Sequence, residues 1–244
     1  MYQILKKIFK TLLPSSLLIS QEERFRKVLT WFYQGNQREC NICQAKLAKF
    51  VLSEKGDLLC PNCGSLGRNR RLLTLLQAEP LAGKRMLEFS PSRCLFRYWK
   101  KQQALTYIAT DFENEFLADV KWDITNLPTD VPPFDYIVCY HILEHITDDE
   151  KAMQNLYRMV KPTGKIFIQT PFKAGEIYED VRIQSPEQRL AHFGQEDHVR
   201  IYSVEGLKQR LTQQGFQVEV LHFQETDDNY RGFGTEEFVL VARV

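Results

Sequence analysis

The 244-residue sequence has no long uninterrupted run of apolar residues. A helix that crosses a bilayer needs about 20 such residues in succession, and every apolar run of this chain is much shorter. The amino terminus also lacks the continuous apolar stretch and the small-residue cleavage site of a signal peptide. We therefore expect a cytoplasmic protein, in which paired cysteines bind metal more readily than they form disulfides.

An excess of charge of one sign is also missing, because 32 Lys and Arg are balanced by 31 Asp and Glu. The composition as a whole therefore gives no sign of a nucleic-acid or membrane partner. The distribution is uneven, since residues 1–84 carry 14 basic and 6 acidic residues whereas residues 85–244 carry 18 and 25. A basic amino-terminal part can face an anionic partner, although solvated surface explains the pattern equally well.

The amino terminus has the pattern of a helical segment over residues 1–36. Within it, residues 2–13 place apolar side chains on one helical face and lysines elsewhere. Docking of this basic amphipathic helix onto the protein itself is the favoured interpretation. Peripheral contact with an anionic membrane surface is the alternative.

Four of the six cysteines form two Cys-x-x-Cys pairs, which are Cys40, Cys43, Cys60 and Cys63. Two residues between ligands let one turn direct both sulfurs to the same ion, and the sixteen-residue spacer can form a hairpin. We predict a zinc ribbon and linker helix over residues 37–79, with a structural Zn²⁺ on four thiolates. Gly64 suits the second knuckle because glycine adopts positive φ without a steric penalty.

The remaining sequence, residues 80–244, alternates short apolar runs with helical segments. The runs are RMLEF (85–89), LTYIATD (105–111), VKWDIT (120–125), DYIVCYH (135–141), KIFIQTP (165–171), QVEVLHF (217–223) and EFVLVAR (237–243). Helical patterns lie between several of them, at about 93–103, 148–160 and 203–214. This alternation predicts an α/β domain with a mostly parallel, doubly wound sheet, in which Cys94 and Cys139 pack in the interior.

Three acidic residues lie at or near the ends of the first three predicted strands: Glu88, Asp111 and Asp123. In a doubly wound sheet, ligands bind across the carboxyl ends of the strands. A carboxylate at the tip of the second strand can accept hydrogen bonds from both hydroxyls of a ribose, and one near the third can accept from an adenine amino group. Glu88 would then hold a cationic amino group.

Several segments together resemble the class I S-adenosylmethionine-dependent methyltransferases, especially a bacterial group with a zinc ribbon ahead of the catalytic domain. These segments are KRMLEFSPS, YIATDF, WDITNLP, FDYIVCYHILEHITDD, VKPTGKIFIQTP, AHFGQEDHVRIYS and QQGF. The resemblance covers roughly residues 38–244. It implies a Rossmann-like sheet of seven strands, the last antiparallel, with S-adenosylmethionine as cofactor. The cofactor-binding residues that it implies are Glu88, Phe89, Ser90, Pro91, Asp111, Phe112, Asp123, Ile124 and His141.

One segment departs from the family pattern. The loop after the first strand commonly has the form acid-x-Gly-x-Gly-x-Gly, whereas here residues 88–94 are EFSPSRC and contain no glycine. Glycine lets the backbone approach the cofactor closely. Ser90 and Ser92 are the next smallest residues, and Pro91 stiffens the turn. Cofactor binding therefore stays plausible in an altered form.

The candidate catalytic residues are His141, His145 and His198. The segment His141-Ile142-Leu143-Glu144-His145 also fits the HxxEH pattern of some zinc proteases, but that pattern requires a helix, and here it follows a strand directly. The segment resembles quinone-pathway O-methyltransferases, whose Glu-x-x-Glu-His stretch binds a divalent cation. The first Glu is His141 here. The simplest alternative is that His145 bonds to backbone groups of the turn.

A segment between the fifth strand and the last helix carries further candidates. Tyr178, Glu179 and Asp180 precede a stretch in which His198 lies near acidic residues. A histidine beside acids can act as a general base near neutral pH, and Arg200 can hold an anionic group of a substrate. We hypothesise that His198 is a general base, although ion pairs on a solvated loop are equally common.

Three functions are compatible with these residues. The first is a methyltransferase that acts on a small-molecule or sugar-containing acceptor, the sugar being suggested by the resemblance alone. The second is an RNA methyltransferase whose basic zinc module holds phosphates through Arg68, Arg70 and Arg71. The third is a non-catalytic binding module whose altered loop no longer holds cofactor. The sequence identifies neither the acceptor atom nor the oligomeric state.

Overall fold

The computed structural model describes residues 15–53, 56–225 and 228–244. The predicted basic helix over residues 2–13 lies outside the described residues. No helix within the described ranges is long and apolar enough to cross a membrane. The chain divides into two compact units. We call them the cysteine unit (residues 1–79, 92–101 and 224–236) and the sheet unit (residues 80–91, 102–223 and 237–244).

In the part of the cysteine unit that the structure describes, two small hairpins combine with three helices. The helices are α1 (Ser15–Trp31), α2 (Gly67–Gln77) and α3 (Arg93–Trp99). The antiparallel hairpins pair β1 (Gln34–Glu39) with β2 (Lys46–Leu47), and β3 (Val51–Leu52) with β4 (Leu58–Leu59). Cys40 and Cys43 lie in the turn between β1 and β2, whereas Cys60 and Cys63 directly follow β4. The β3–β4 hairpin lies within the sixteen-residue spacer, as predicted.

A buried arginine fastens the parts of the cysteine unit together. The Arg70 side chain is fully buried, and its guanidinium lies 4.2 Å from the centre of the Phe50 ring. It donates hydrogen bonds to four backbone carbonyls, those of Leu58, Ser65, Arg231 and Gly232. A buried guanidinium needs such acceptors because it is never neutral at ordinary pH.

Arg71 is buried as well, and it pairs with Glu225 and stacks on Phe233 at 3.8 Å. The guanidinium groups of Arg70 and Arg71 are therefore engaged inside the cysteine unit. The expectation that these two residues grip RNA phosphates is wrong, because a phosphate contact requires an accessible cation.

The sheet unit is built on one mostly parallel sheet of six strands. They are β5 (Arg85–Phe89), β6 (Thr106–Thr110), β7 (Phe134–Tyr140), β8 (Val160–Gln169), β11 (Gln217–Gln224) and β12 (Glu236–Arg243). Their order is β11-β12-β8-β7-β5-β6. Pairing is parallel among β6, β5, β7 and β8, whereas β12 runs antiparallel to β8. The α/β fold and the antiparallel last strand are thus confirmed.

The predicted strand over residues 120–125 is not a strand in the structure. Val120 forms only an isolated parallel bridge with Thr110. Side chains replace the ladder, since Asp119 accepts from the backbone N–H of Ala109 at 2.9 Å and Thr110 Oγ1 accepts from that of Trp122 at 2.9 Å. Six strands are therefore formed where seven were expected.

Helices and a short hairpin complete the sheet unit. They are α4 (Asp149–Met159), α5 (Pro186–Phe193), α6 (Val204–Gln213), a 3₁₀ turn (Leu143–His145) and the antiparallel strands β9 (Tyr178–Glu179) and β10 (Arg200–Ile201). Apolar residues of β5, β7, β8 and β12 pack with those of α4 and α6 into one core. This core fixes the strand ends at which the predicted site residues lie.

Replacing Arg70 with Met keeps an apolar stem but leaves four buried carbonyls without their donor. We expect the free energy of unfolding to fall by about 3 kcal/mol, measured by urea denaturation. Lys101→Met, at an exposed position of the same unit, should change it little. Equal midpoints for the wild type and Arg70→Met would show that Arg70 does not hold the unit together.

Candidate active site and metal centre

The strand order creates a topological switch point between β5 and β7. From β5 the chain passes to β6 on one side, and from β7 it passes to β8 on the other. Such a reversal opens a crevice at the carboxyl ends of the two central strands. Glu88 lies near the end of β5, and His141 directly follows β7. Two of the residues singled out in the sequence therefore flank the crevice.

Glu88 is a buried carboxyl group with a single hydroxyl donor among the described side chains. It is 2% exposed, and Tyr107 donates a hydrogen bond to its Oε2 at 2.8 Å. Burial raises the pKa of Glu88 to about 7, although the bond from Tyr107 opposes the shift. A bound cation would favour the ionised carboxylate, since charge pairing lowers the pKa of an acid.

The loop after β5 takes a left-handed conformation without glycine. Ser90 has φ of 43°. Its backbone N–H donates to the Thr110 carbonyl at 2.7 Å, and its hydroxyl donates to Asp111 Oδ1 at 2.6 Å. The other oxygen of Asp111 accepts from the backbone N–H groups of Glu115 and Phe116 at 2.7 and 3.2 Å. Asp111 therefore organises the loops at the tip of β6.

Asp123 follows the bridge that replaces the third strand. Its Oδ1 accepts from the backbone N–H and the hydroxyl of Thr125, both at 2.8 Å, which closes a local turn. Phe89 pairs with Thr110 and Thr110 bridges to Val120, so the segments that carry the three acids are neighbours. Glu88 lies opposite Ala109, two residues before Asp111, and Asp123 lies three residues beyond the bridge.

The other predicted cofactor-binding residues differ in the solvent exposure of their side chains. Phe112 is 48% exposed, so its ring is available to a planar ligand. Phe89 and Ile124 are buried members of the core, and only their backbone groups remain for a ligand. Pro91 is buried too.

A partly exposed His141 with a left-handed backbone lies beside the buried Glu144 at the end of β7. His141 has φ of 55°, and its N–H donates to the Gln169 carbonyl at 2.7 Å. Its Nδ1 lies 3.3 Å from Glu144 Oε1. Glu144 is 1% exposed, and neither carboxylate oxygen has a hydrogen-bond partner among the described residues. A buried carboxylate without hydrogen-bond donors is costly, so this group favours a nearby cation.

Two histidines lie beside Glu144. The His145 and His198 rings are 4.6 Å apart and perpendicular, and His145 Nδ1 lies 3.0 Å from Asp197. His198 is 4% exposed, with Nδ1 3.2 Å from the Phe193 carbonyl and Nε2 2.8 Å from the Gln195 amide nitrogen. Burial, and then the neighbouring His145, lower the pKa of His198. The carbonyl can only accept, so Nδ1 carries the proton, and the unprotonated Nε2 accepts a hydrogen bond from the Gln195 amide.

Glu144, His145 and His198 each offer one ligand atom, and these atoms lie within 4.8 Å of one another. We call them the acceptor cluster. Both histidines are site residues predicted from the sequence, whereas Glu144 enters that prediction only through the resemblance to the Glu-x-x-Glu-His stretch. The available signal was its position between His141 and His145 at the end of a predicted strand.

Arg200 does not have the accessible guanidinium that an anionic substrate requires. It is 6% exposed, donates to the carbonyls of Leu143, Ile146 and Thr147, and pairs with Glu179 at 2.7 Å. The expectation that it holds a substrate anion is wrong, because its donors are used to fix the turn that carries the acceptor cluster. The Val199 N–H strengthens this attachment by donating to the Glu144 carbonyl at 2.9 Å.

The four paired cysteines converge in the cysteine unit. Their sulfur atoms lie within 4.8 Å of one another, and the pairs Cys40–Cys63 and Cys43–Cys60 are each separated by 3.7 Å. Four thiolates at 2.3 Å around a tetrahedral ion would be about 3.8 Å apart. The knuckle turns match too, because Gln44 (φ 59°) and Gly64 (φ 77°) take left-handed conformations after the second cysteine of each pair.

Comparisons with known proteins agree with this architecture. A family profile described as "Methyltransferase domain" matches residues 66–221. The ubiquinone biosynthesis O-methyltransferase of Coxiella burnetii (strain Dugway 5J108-111) is 40% identical over 48 residues, which are 20% of this chain and 20% of that protein. The match thus spans about a fifth of the length of this curated relative.

Solved structures show the same fold. A SAM-dependent methyltransferase from Archaeoglobus fulgidus has a TM-score of 0.51 at 18% identity, over 72% of this chain and 91% of that one. An S-adenosylmethionine-dependent methyltransferase from Mesorhizobium loti has a TM-score of 0.50 at 14% identity, over 70% and 96%. Since the family profile covers well over half of the sequence, the chain belongs to the methyltransferase-domain family of class I S-adenosylmethionine-dependent methyltransferases.

Proposed function

We propose that this protein transfers a methyl group from S-adenosylmethionine to the hydroxyl group of a small-molecule acceptor. One observation carries the proposal: Glu88, Asp111 and Asp123 lie at the ends of adjacent segments beside the switch point of a methyltransferase sheet. A doubly wound sheet binds its ligand there. The O-methyltransferase name of the curated relative supports a hydroxyl acceptor.

Each proposed cofactor residue has a role that follows from its surroundings. Ionised Glu88 would pair with the amino group of the cofactor, because the carboxylate is buried and a cation restores its charge balance. Asp111 and Asp123 would accept hydrogen bonds from the ribose hydroxyls and the adenine amino group. The exposed ring of Phe112 would cover the adenine. His141, at the end of β7, would lie on the acceptor side.

Methyl transfer from a sulfonium is an in-line displacement, so the protein chiefly orients the acceptor and excludes water. A hydroxyl acceptor must also lose its proton. Neutral His198 has an unprotonated Nε2, and its lowered pKa keeps it neutral near pH 7. We assign proton removal to His198, with His145 and Glu144 beside it.

The acceptor cluster also fits a divalent cation. Both oxygens of buried Glu144 lack donors, and two histidines offer nitrogen atoms within 4.8 Å. With an ion bound, the Nε2 lone pair of His198 would be a ligand and could not also take the proton, so the two roles of His198 are alternatives. When bound, such an ion would lower the pKa of a hydroxyl oxygen near it.

We further propose that Cys40, Cys43, Cys60 and Cys63 hold a structural Zn²⁺. The sulfur separations of 3.7 Å support it, as does the donor set, because four thiolates favour zinc and leave no open position for chemistry. RNA as acceptor is less well supported, since the buried Arg70 and Arg71 cannot reach phosphates.

The affinity for S-adenosylmethionine should depend on pH through Glu88. The raised pKa, about 7, means that the free protein becomes protonated at Glu88 below neutral pH, and the cofactor amino group then loses its partner. We expect the Kd to rise by up to about tenfold per pH unit below pH 7, measured by calorimetry. Glu88→Gln should bind weakly at every pH. No binding by the wild type at millimolar cofactor would instead favour a non-catalytic module.

The purified chain should carry a single zinc ion, as measured by native mass spectrometry. Cys43→Ala should lose the ion, because three thiolates hold zinc less tightly than four. Cys139→Ala is the matched control, since Cys139 is a buried cysteine of the sheet unit and its variant should keep the ion. Equal zinc contents in both variants would exclude the four-thiolate site.

Manganese tests the acceptor cluster separately, because Mn²⁺ prefers oxygen and imidazole ligands to thiolates. Titration followed by electron paramagnetic resonance should show Mn²⁺ binding to the wild type and at least about tenfold weaker binding to Glu144→Gln. Glu150→Gln removes an exposed acid six residues away and should bind as the wild type does. If Glu144→Gln binds equally well, the cluster is not a metal site.

A further inference from the structure

Helix α3 directly follows the proposed cofactor loop, Glu88–Pro91, yet it belongs to the cysteine unit. The chain leaves the sheet unit at Pro91 and enters the cysteine unit at Ser92, one residue before α3 begins. The methyltransferase family profile starts at residue 66. Helix α1 and all four paired cysteines precede that residue, so this part of the chain lies outside the family match.

Glu22 of α1 binds α3 through two arginines. Glu22 Oε2 lies 2.8 Å from Arg93 Nε and 3.4 Å from Arg97 Nη1, while Oε1 accepts from Arg26 Nε at 2.9 Å. The side chain of Glu22 is only 13% exposed. Burial alone would raise its pKa, but the charges and hydrogen bonds of Arg26 and Arg93 hold the pKa below its usual value. The Glu22 carboxylate therefore attaches the first turn of α3 to α1.

Arg26, which pairs with Glu22, also contacts the second zinc knuckle. A side-chain carbon at Gly64 would lie 2.8 Å from the Arg26 guanidinium, so the arginine packs directly on the knuckle backbone. Cys94 of α3 is buried beside Cys63, and its sulfur lies 3.2 Å from the Ser92 hydroxyl.

The cofactor loop needs such support because it has no glycine. Ser90 holds φ of 43°, a conformation that non-glycine residues keep only when their surroundings enforce it. One end of the loop is fixed by β5. The other end is the start of α3, whose position depends on Glu22 and on the second knuckle.

We propose that α1 and the zinc ribbon control the affinity for S-adenosylmethionine by holding α3, with Glu22 as the positioning residue for the cofactor loop. The inference rests on the proposed binding of S-adenosylmethionine. The cysteine unit then has a role in cofactor binding within the same chain. Its influence passes along the backbone from Ser92, at the start of α3, to Pro91 of the cofactor loop.

The test compares full-length, zinc-loaded variants by calorimetry with S-adenosylmethionine. Glu22→Gln removes the charge and should raise the Kd about fivefold. Glu22→Asp keeps the charge and should recover part of the affinity. Glu23→Gln is the matched control, since this neighbouring acid is 56% exposed and lies 3.6 Å from Arg97, and its Kd should stay within about twofold of the wild-type value.

Amide hydrogen exchange over residues 88–99, in the absence of cofactor, gives a readout independent of binding. Exchange should accelerate there in Glu22→Gln and after removal of zinc with a chelator, and should be unchanged in Glu23→Gln. Zinc removal should also raise the Kd, and by a smaller factor in Glu22→Gln than in the wild type, because both changes act through α3.

The outcomes separate the two proposals. If the zinc-loaded wild type does not bind S-adenosylmethionine, the proposed function fails and this inference fails with it. If the wild type binds, but Glu22→Gln and the zinc-free protein bind equally tightly and exchange equally slowly over residues 88–99, the cysteine unit does not position the loop. Faster exchange with an unchanged Kd would likewise overturn the inference.

Discussion

The parallel register of β5, β6 and β7 decides where the functional side chains of the sheet unit lie. Hydrogen bonding of Glu88 opposite Ala109, and of Phe89 opposite Thr110, brings the ends of β5 and β6 to one edge. The pairing of Glu88 with Val138 places the end of β7 at the same edge. A shift of one residue would turn each side chain to the opposite face, so the site depends on these backbone bonds.

On each side of the crevice lies a buried carboxyl group with few or no hydrogen-bond donors. Glu88 has a single hydroxyl donor among its described contacts, and Glu144 has no hydrogen-bond donor in the described part of the chain. Carboxylates in this state raise the energy of the free protein. A ligand that brings positive charge therefore gains affinity by restoring the charge balance, which is the physical basis for proposing a cationic cofactor on one side and a metal cation on the other.

Two buried arginines have a structural role. They donate hydrogen bonds to backbone carbonyl groups that would otherwise lack a partner inside the fold. Arg70 bonds to four carbonyls of the cysteine unit, and Arg200 bonds to three carbonyls of the turn that carries Glu144 and His145. Each guanidinium offers five donors in a fixed plane, so one side chain can fasten several loops. Both residues looked like ligand contacts in the sequence, and both are structural.

The sequence by itself determined the positions of the six strands of the sheet and of helices α3, α4 and α6, the paired cysteines, and two acids at strand ends, because these follow from local periodicity and spacing. Only the tertiary structure decided that residues 120–125 form a bridge, that Glu144 lacks donors, and that α3 belongs to the cysteine unit. The physical reason is that burial and hydrogen bonding of a polar side chain depend on distant residues. Arg70 meets Arg231 and Glu22 meets Arg93 only after folding.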